Sequence, residues 1–344
     1  MPQLFYKGID NLERLLKKKN VSQYLLVCDS SFPFLSIKES IESIKIPHFQ
    51  FDGFSSNPLH DDARKGLKIL SENNIKTIVA VGGGSSMDVA KCIKLDTEKN
   101  DIEIIAVPTT AGTGSESTRH IVVYENGKKQ SLGNESVIPN CVIFEPIVLK
   151  TLPLYQKKCT LMDALCQCIE SYWSINSNEV SKPLSLHGME LIRDNMDRYI
   201  LNNDETSYEP IMKAANLSGQ AINITQTTAA HAMSYKLTSL FGLPHGHSVG
   251  ICLPYVWEKM LNHEELKDIF KQIADTLGFS ISEEAIEWFK DKLKEYELYY
   301  PVSEDYERDI KVLTESVNPV RLKNNPVQFN EKELEELYRE IVRQ

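Results

Sequence analysis

The sequence lacks three features that would each define a class of protein. Its seven cysteines are odd in number and form no C-x-x-C pair, which argues against a disulfide framework and a zinc knuckle. No apolar run approaches the length of a membrane span, and the first residues contain no apolar signal-peptide core. Acidic residues number 48 and basic residues 38, with no basic stripe to follow a phosphate backbone. We expect a soluble, cytoplasmic protein that binds neither nucleic acid nor membrane.

The chain is long enough for two domains, and its pattern changes near residue 152. At 344 residues it exceeds what one hydrophobic core usually spans. In the first part, short β-rich runs at 24–28, 48–51, 77–81, 102–107 and 141–144 alternate with helical patterns, which is typical of βαβ units. An Asn-Gly pair within 121–129 predicts a hairpin. We predict a Rossmann-like α/β domain with a parallel sheet over 1–152.

The second part has the periodicity of helices and almost no β-rich runs. Helix-period stretches occupy roughly 154–175, 180–200, 205–237, 247–262, 265–299 and 330–342. The sequence therefore predicts a helical domain over 153–344.

Two glycine-rich loops follow predicted strands of the first domain. The segment 81–91 reads Val-Gly-Gly-Gly-Ser-Ser-Met-Asp-Val-Ala-Lys, and a strand that runs through glycines into a helix leaves backbone N–H groups free to bind a pyrophosphate. The spacing lacks the last glycine of the usual dinucleotide fingerprint, so a plain tight turn is the alternative. A second loop, 108–116, is rich in threonine and glycine and follows another strand, at the edge where open α/β sheets bind ligands. For its threonines the alternative is N-capping and turn chemistry.

The helical part contains side chains suited to a divalent metal ion. Asp163 and Gln167 are four apart on one predicted helix and share a face, and His231 and His245 follow downstream. Carboxylate and imidazole donors suit a first-row metal. The alternative is that Asp163 and Gln167 are solvated helix residues and the histidines are core or capping residues.

These motifs together resemble the iron-containing, or group III, alcohol dehydrogenases. The resemblance rests on the glycine loop 82–88, the loop 108–116, Asp163-Ala164-Leu165 and Pro244-His245-Gly246, and extends to 318–321 and 334–338. It implies an N-terminal dinucleotide-binding domain followed by a helical metal- and substrate-binding domain, as in the dehydroquinate-synthase-like architecture.

The resemblance implies a set of cofactor-binding residues. The pyrophosphate would lie at the glycine loop, and the nicotinamide side would contact the threonine loop. Asp29 would accept hydrogen bonds from the adenosine ribose and repel a 2′-phosphate, which favours NAD(H) over NADP(H). For Asp29 the alternative is a turn or capping role. Lys129 falls near the position of a family lysine that reaches the ribose, and the alternative for it is a solvated lysine of the hairpin. The full set is Asp29, Gly83, Gly84, Ser85, Asp88, Thr109, Thr110, Thr113 and Lys129.

The resemblance also implies a ligand set of one aspartate and three histidines for Fe²⁺ or Zn²⁺. Asp163, His231 and His245 match three of them, and Gln167 replaces a histidine. Either Gln167 ligates through its weaker carbonyl oxygen or three protein ligands suffice. Tyr235 stands where many relatives carry a histidine near the nicotinamide, and Tyr235 or His247 could take its place in a proton relay. For His247 the alternative is a corner residue that bonds to its own backbone.

The implied reaction is reduction of a short aldehyde by NAD(P)H, or its reverse, in a homodimer or larger homo-oligomer. Hydride transfer to an aldehyde leaves an alkoxide, whose charge a divalent cation would stabilise. The segments 117–124 and 166–174 are similar to the phosphonoacetaldehyde reductase branch, in which Arg119 could pair with a phosphonate. A surface ion pair is the alternative for Arg119. Two other functions remain open: a dehydroquinate-synthase-like lyase or cyclase, and a non-catalytic binding protein with a decayed metal site.

Overall fold

The computed structural model describes residues 3–97, 101–125 and 128–344. The chain divides into two compact units, Met1–Leu152 and Pro153–Gln344, at the point where the sequence pattern changes. Among the described residues, no helix is both long and apolar enough to cross a bilayer.

The first unit is built on a parallel sheet of six strands in the order β1-β8-β5-β4-β2-β3. A separate antiparallel pair, β6 and β7, confirms the strand pairing of the predicted hairpin, whose Asn-Gly turn lies outside the described residues. The strands are β1 (Leu4–Lys7), β2 (Tyr24–Cys28), β3 (His48–Phe51), β4 (Thr77–Gly82), β5 (Glu103–Pro108), β6 (His120–Glu125), β7 (Lys128–Gly133) and β8 (Cys141–Phe144). The α-helices described in this unit are α1 (Asp10–Lys18), α2 (Lys38–Glu42), α3 (His60–Glu72) and α4 (Gly84–Asp96).

The central strands of this sheet have almost continuously apolar sequences because both of their faces are buried. Every residue of β2 and β4 is buried, as expected when helices cover both faces of a parallel sheet. From β2 the chain proceeds to β3 on one side, and from β4 to β5 on the other. The strand order therefore reverses between β2 and β4, and such a reversal is where open α/β sheets bind ligands.

One strand is absent from the sequence-based prediction. β1 is four residues long, partly exposed, and pairs with β8 alone among the described strands. A short edge strand of this kind has too few alternating residues to give a periodic signal.

The second unit consists of helices, so the predicted fold class is confirmed. They are α5 (Leu154–Trp173), α6 (Ser181–Ile200), α7 (Tyr208–Thr225), α8 (Ala229–Phe241), α9 (His245–Met260), α10 (Lys267–Leu277), α11 (Ser282–Glu295), α12 (Tyr306–Glu315), α13 (Pro319–Leu322) and α14 (Glu331–Ile341). Two predicted helices are each divided in two. The stretch 205–237 breaks at Gln226, with φ +60°, and 265–299 breaks at Gly278, with φ +94°.

Helix α5 lies at the centre of this unit, and its position decides where the polar site forms. Almost every residue from Lys157 to Trp173 is buried. Trp173 packs edge-on against Trp257 of α9 and Phe270 of α10, with ring centroids 6.0 and 6.1 Å away. Because α5 is enclosed on nearly all sides, its polar residues must find partners inside the unit.

Candidate functional site

In the first unit, the glycine loop leads directly from β4 into the N-terminus of α4. Gly82 ends the strand with φ +148°, and a Cβ there would lie 2.2 Å from Ser86 Oγ, so only glycine fits. Gly83 precedes the first helical residue, Gly84, and both are partly exposed together with Ser85. The exposed start of α4 is thus suited to an anion such as a pyrophosphate.

The threonine loop lies against the glycine loop. Thr109 N–H donates to the Gly82 carbonyl at 3.0 Å. A Cβ on Gly83 would lie 3.2 Å from the Thr110 side chain, and one on Gly84 would lie 3.1 Å from Thr113. The two loops therefore share one edge of the sheet, because β4 and β5 are parallel neighbours.

Asp29 follows β2 at the same edge. One carboxylate oxygen accepts from Ser31 N–H at 2.8 Å, and the other accepts from Ser86 Oγ at 3.0 Å. Asp29 is thereby held beside the glycine loop while partly exposed. Its contact with a ribose stays a prediction.

Asp88 and Lys91 fasten the chain beyond the threonine loop to α4. Asp88 accepts from Ser115 Oγ at 2.8 Å and from Val122 N–H at 3.1 Å. The fully buried Lys91 ammonium donates to Ser115 Oγ at 2.6 Å and to the His120 carbonyl at 2.8 Å. Burial lowers the pKa of Lys91, and the neighbouring Asp88 opposes that shift. Lys91 was not among the predicted site residues; its only signal was a charged residue among the apolar positions of the predicted helix.

In the second unit, three predicted ligands come together. Asp163 of α5, His231 of α8 and His245 of α9 each offer one ligand atom within 4.8 Å of the others. His231 Nε2 lies 3.4 Å from Asp163 Oδ1, and His245 Nε2 lies 3.9 Å from the same oxygen. Asp163 and His231 are buried, whereas the His245 side chain is 36% exposed. The cluster can therefore be reached from one side.

Two atoms of this cluster have no well-formed hydrogen bond to any described residue. Asp163 Oδ1 and His231 Nε2 are both inaccessible to solvent, and their close polar contact is with each other, at 3.4 Å. Buried polar atoms normally have partners, because leaving one without a partner costs about 1–3 kcal/mol. A carboxylate oxygen and an imidazole nitrogen are ligands for divalent first-row metals. The residues present therefore fit such an ion.

Glu170 orients the buried histidine. It lies seven residues after Asp163, on the same face of α5, and is fully buried. Its Oε1 accepts from Thr228 Oγ1 at 2.7 Å and from Ala230 N–H at 2.9 Å, and its Oε2 bonds to His231 Nδ1. With Nδ1 held, Nε2 is left to face Asp163. Burial opposes charging of the imidazole, but Glu170 and Asp163 together raise the pKa of His231 to about 9.

His245 reaches the cluster because Gly246 lets α9 approach α5. A Cβ on Gly246 would lie 1.9 Å from the Cys159 carbonyl oxygen and 2.9 Å from Asp163 Cβ. Only glycine permits this contact between the start of α9 and the middle of α5.

Comparison with known proteins identifies the family. The family model described as "Iron-containing alcohol dehydrogenase" matches residues 4–146, and "Fe-containing alcohol dehydrogenase family, C-terminal" matches residues 158–342. The chain belongs to the iron-containing alcohol dehydrogenase family. It is therefore an oxidoreductase of that family, and the lyase or cyclase alternative loses its support.

Several known proteins are similar to the chain over much of their length. Alcohol dehydrogenase 4 of Saccharomyces cerevisiae is 28% identical over 83% of this chain and 80% of that protein. The 1,3-propanediol dehydrogenase of Citrobacter freundii is 31% identical over 68% of this chain and 66% of that protein. The structure of sulfoacetaldehyde reductase from Bifidobacterium kashiwanohense, in complex with NAD⁺, superposes with a TM-score of 0.89 at 25% identity, covering 99% of this chain and 97% of that one.

Gln167, at the position where the resemblance implies a histidine ligand, bridges the cluster and α7. Its Oε1 accepts from Ser218 Oγ at 2.8 Å, and its amide bonds to Asp163. Burial alone would raise the pKa of Asp163, but His231, His245 and Gln167 hold it below the usual value. In this orientation the amide oxygen faces Ser218, so Gln167 supports Asp163. A ligand role would require the amide to rotate.

The two candidates for a proton relay lie in different surroundings. The Tyr235 ring stacks on His245, with centroids 5.8 Å apart and planes 18° apart. His247 is buried, its Nδ1 bonds to Tyr155 OH at 2.8 Å, and its Nε2 bonds to the Tyr299 carbonyl at 2.9 Å. Both ring nitrogens of His247 are thus engaged, whereas Tyr235 contacts the cluster directly. The relay itself stays a prediction.

The remaining predicted residues of the first unit are Arg119 and Lys129. Arg119 forms an ion pair with Glu135, which agrees with the alternative that it is part of a surface ion pair. Lys129 belongs to β7, but its side chain lies outside the described part of the structure. Their roles toward substrate and ribose stay predictions.

A second group of metal-type donors lies in the first unit. His60, Cys92 and Asp96 are close together. His60 Nε2 and Asp96 Oδ2 already bond to each other at 2.9 Å, and burial raises the pKa of the Cys92 thiol to about 12. The bond between His60 and Asp96 joins α3 to α4 and pairs these two groups without an ion, while the raised pKa keeps the Cys92 thiol protonated.

Proposed function

We propose that the protein is a metal-dependent, NAD(H)-linked reductase of short aldehydes. The observation that carries this proposal is the cluster of Asp163, His231 and His245, with its two buried and unsatisfied ligand atoms. Their convergence from three helices opposes the alternative of a decayed metal site. When bound, a divalent cation would supply Lewis-acid stabilisation of negative charge on the substrate oxygen.

The chain's own residues have distinct parts in this proposal. Asp163 and His231 would hold the ion in the buried part of the site, with Glu170 fixing the tautomer of His231, and His245 would complete the set on the exposed side. Gln167 would hold the second carboxylate oxygen of Asp163, or ligate after rotation of its amide.

In the first unit, the start of α4 would hold the cofactor pyrophosphate through Gly83, Gly84 and Ser85. Thr109, Thr110 and Thr113 would contact the nicotinamide side. Asp29 would favour NAD(H), because a carboxylate repels the 2′-phosphate of NADP(H). The NAD⁺ complex of the similar sulfoacetaldehyde reductase supports this choice.

We further propose that the substrate carries an anionic head group, as phosphonoacetaldehyde does. The similarity to a sulfoacetaldehyde reductase supports a short aldehyde with an oxyanion at its other end. The similarity to 1,3-propanediol dehydrogenases makes an uncharged substrate the competing option. Steady-state kinetics with phosphonoacetaldehyde, sulfoacetaldehyde, succinic semialdehyde, lactaldehyde and butyraldehyde would decide. Faster turnover of the uncharged aldehydes would reject the anionic substrate.

The function itself is tested by removing the metal, reloading Fe²⁺ or Zn²⁺, and following NADH absorbance with these aldehydes. His245→Ala should lower kcat/KM by about 10³-fold, since a metal ion supplies several kcal/mol of charge stabilisation. The matched control is His263→Ala, which removes an exposed histidine of the same unit. Wild-type activity in His245→Ala, or no NADH oxidation with any aldehyde, would contradict the proposal. Sedimentation of the same samples would test the expected dimer or larger oligomer.

A further inference from the structure

Arg321 differs from most arginines of this chain in the partners it has. Six others form ion pairs with carboxylates: Arg64, Arg119, Arg193, Arg198, Arg308 and Arg339. Arg321 instead donates through Nη1 to Gln226 Oε1 at 2.7 Å and bonds to Tyr235. Both partners are neutral, and within the described part of the chain no carboxylate pairs with this guanidinium. The guanidinium is half-buried and forms no ion pair with a described carboxylate.

Arg321 is one aromatic ring away from the candidate metal ligands. The Tyr235 ring, which it contacts, stacks on His245 at a centroid distance of 5.8 Å. The helix that carries Arg321 is fixed to α8, because Asn318 N–H donates to the Ala232 carbonyl at 3.3 Å. Asn318 Oδ1 in turn accepts from Arg321 N–H at 3.0 Å. The arginine is thus positioned by the same helix that carries His231 and Tyr235.

Gln226 holds Arg321 from a strained backbone position. Its φ of +60° and ψ of 176° lie in a region that is essentially restricted to glycine. Such a conformation persists only where the surroundings enforce it, and it is frequent at functional sites. A glycine would relieve the strain but would remove the Oε1 that receives Arg321. The strain is consistent with a requirement for this side chain.

We propose that Arg321 binds the anionic end of the substrate and that Gln226 and Tyr235 hold its guanidinium beside the metal site. A guanidinium has five N–H donors, of which its two neutral partners take only part, and its planar fork matches a phosphonate, sulfonate or carboxylate. The assignment rests on the proposed function, since it names the group that selects the substrate of that site. It places substrate recognition on Arg321 in the second unit, whereas the sequence pointed to Arg119.

The first test compares an anionic and a neutral aldehyde in the metal-loaded enzyme. We expect Arg321→Gln to lower the ratio of kcat/KM for phosphonoacetaldehyde to that for butyraldehyde by about 10- to 100-fold, mainly through KM. Arg321→Lys should retain part of this ratio, because lysine keeps the positive charge but lacks the planar donor geometry of the guanidinium. Arg119→Gln should lower the ratio less. Arg308→Gln, which removes an exposed, ion-paired arginine, is the control and should leave the activity unchanged.

The second test has readouts other than activity. Gln226→Gly should raise the Tm, because it removes the strain, and should also lower the same ratio. Calorimetric titration with methylphosphonate, which cannot be reduced, should show weaker binding to Arg321→Gln than to the wild type. An unchanged ratio in Arg321→Gln together with unchanged methylphosphonate affinity would overturn the assignment. If no aldehyde is reduced but methylphosphonate binding depends on Arg321, the proposed reaction fails and the anion site stands.

Discussion

In the first unit, the candidate cofactor-binding groups follow three neighbouring parallel strands, β2, β4 and β5. In the second unit, the candidate metal ligands come from three helices: α5, and the consecutive pair α8 and α9 that follows it after two intervening helices. Parallel strands bring their carboxyl ends to one edge of a sheet whatever the intervening chain does. Helices do not bring their side chains together in this way, because packing against neighbouring helices decides which face of each helix points inward.

The difference has a physical consequence for how each site can fail. The glycine and threonine loops are held by local contacts, such as the Thr109 hydrogen bond to the Gly82 carbonyl. The metal cluster depends on groups outside the ligand set, namely Glu170 behind His231 and the bare backbone of Gly246 against α5. We therefore expect the second site to be sensitive to changes that leave every ligand in place.

The largest effect is expected from Gly246→Ala. The new Cβ would lie 1.9 Å from a backbone oxygen of Cys159, which cannot move without displacing α5. We expect the free energy of unfolding to fall by about 3 kcal/mol, at the upper end for overpacking, and we expect the protein to lose its metal-binding site. Urea denaturation measures the stability, and metal analysis of the purified variant measures the loss of the site. Gly250→Ala on the same helix is the control, since its nearest neighbour is a flexible leucine tip at 3.3 Å. Equal stability of the two variants would contradict the packing argument.

A smaller effect is expected from Glu170→Gln. The amide oxygen can still accept the N–H groups at the start of α8, so the helix remains capped, but the charge that orients His231 is lost. We expect metal affinity to fall by about 10- to 100-fold, as for other partners of ligating histidines. Competition with a chromophoric chelator measures it, with Glu297→Gln, a surface partner of Lys158, as the control. An unchanged metal affinity would mean that Glu170 only caps α8 and does not orient His231 for metal binding.

The same contrast explains what could be predicted from the sequence. Apart from the short edge strand β1, the strand positions and both loops were predictable, because an apolar run and the glycines or threonines after it are local signals. The three ligands were identified through the family resemblance, but Glu170, Ser218, Gln226 and Arg321 were not, because their contacts exist only in the packed unit. The breaks at Gln226 and Gly278 lie within continuous helical periodicity. Gly278 offered a breaker signal, whereas a glutamine at positive φ offers none.

Gln167 allows the ligand set itself to be altered. Gln167→His would place an imidazole where the amide now bridges Asp163 and Ser218. Because imidazole is a better donor than an amide oxygen to Fe²⁺ or Zn²⁺, we expect metal affinity to rise by about tenfold. Chelator competition measures the affinity, and the visible spectrum of the Co²⁺ form reports whether the ligand set has changed. A lower affinity would mean that the amide's hold on Asp163 contributes more than a fourth ligand would.

The smallest effect is expected in the first unit, from Asp29→Ser. The serine retains a hydroxyl near Ser86 but removes the charge that would repel a 2′-phosphate. We expect the preference for NADH over NADPH, as the ratio of kcat/KM values, to fall by about tenfold with metal affinity unchanged. Asp52→Ser is the matched control, because Asp52 is an exposed carboxylate that directly follows the neighbouring strand β3. If both variants keep the preference, Asp29 serves only the turn at Ser31. A loss of metal affinity in Asp29→Ser would show that the two units do not fail independently.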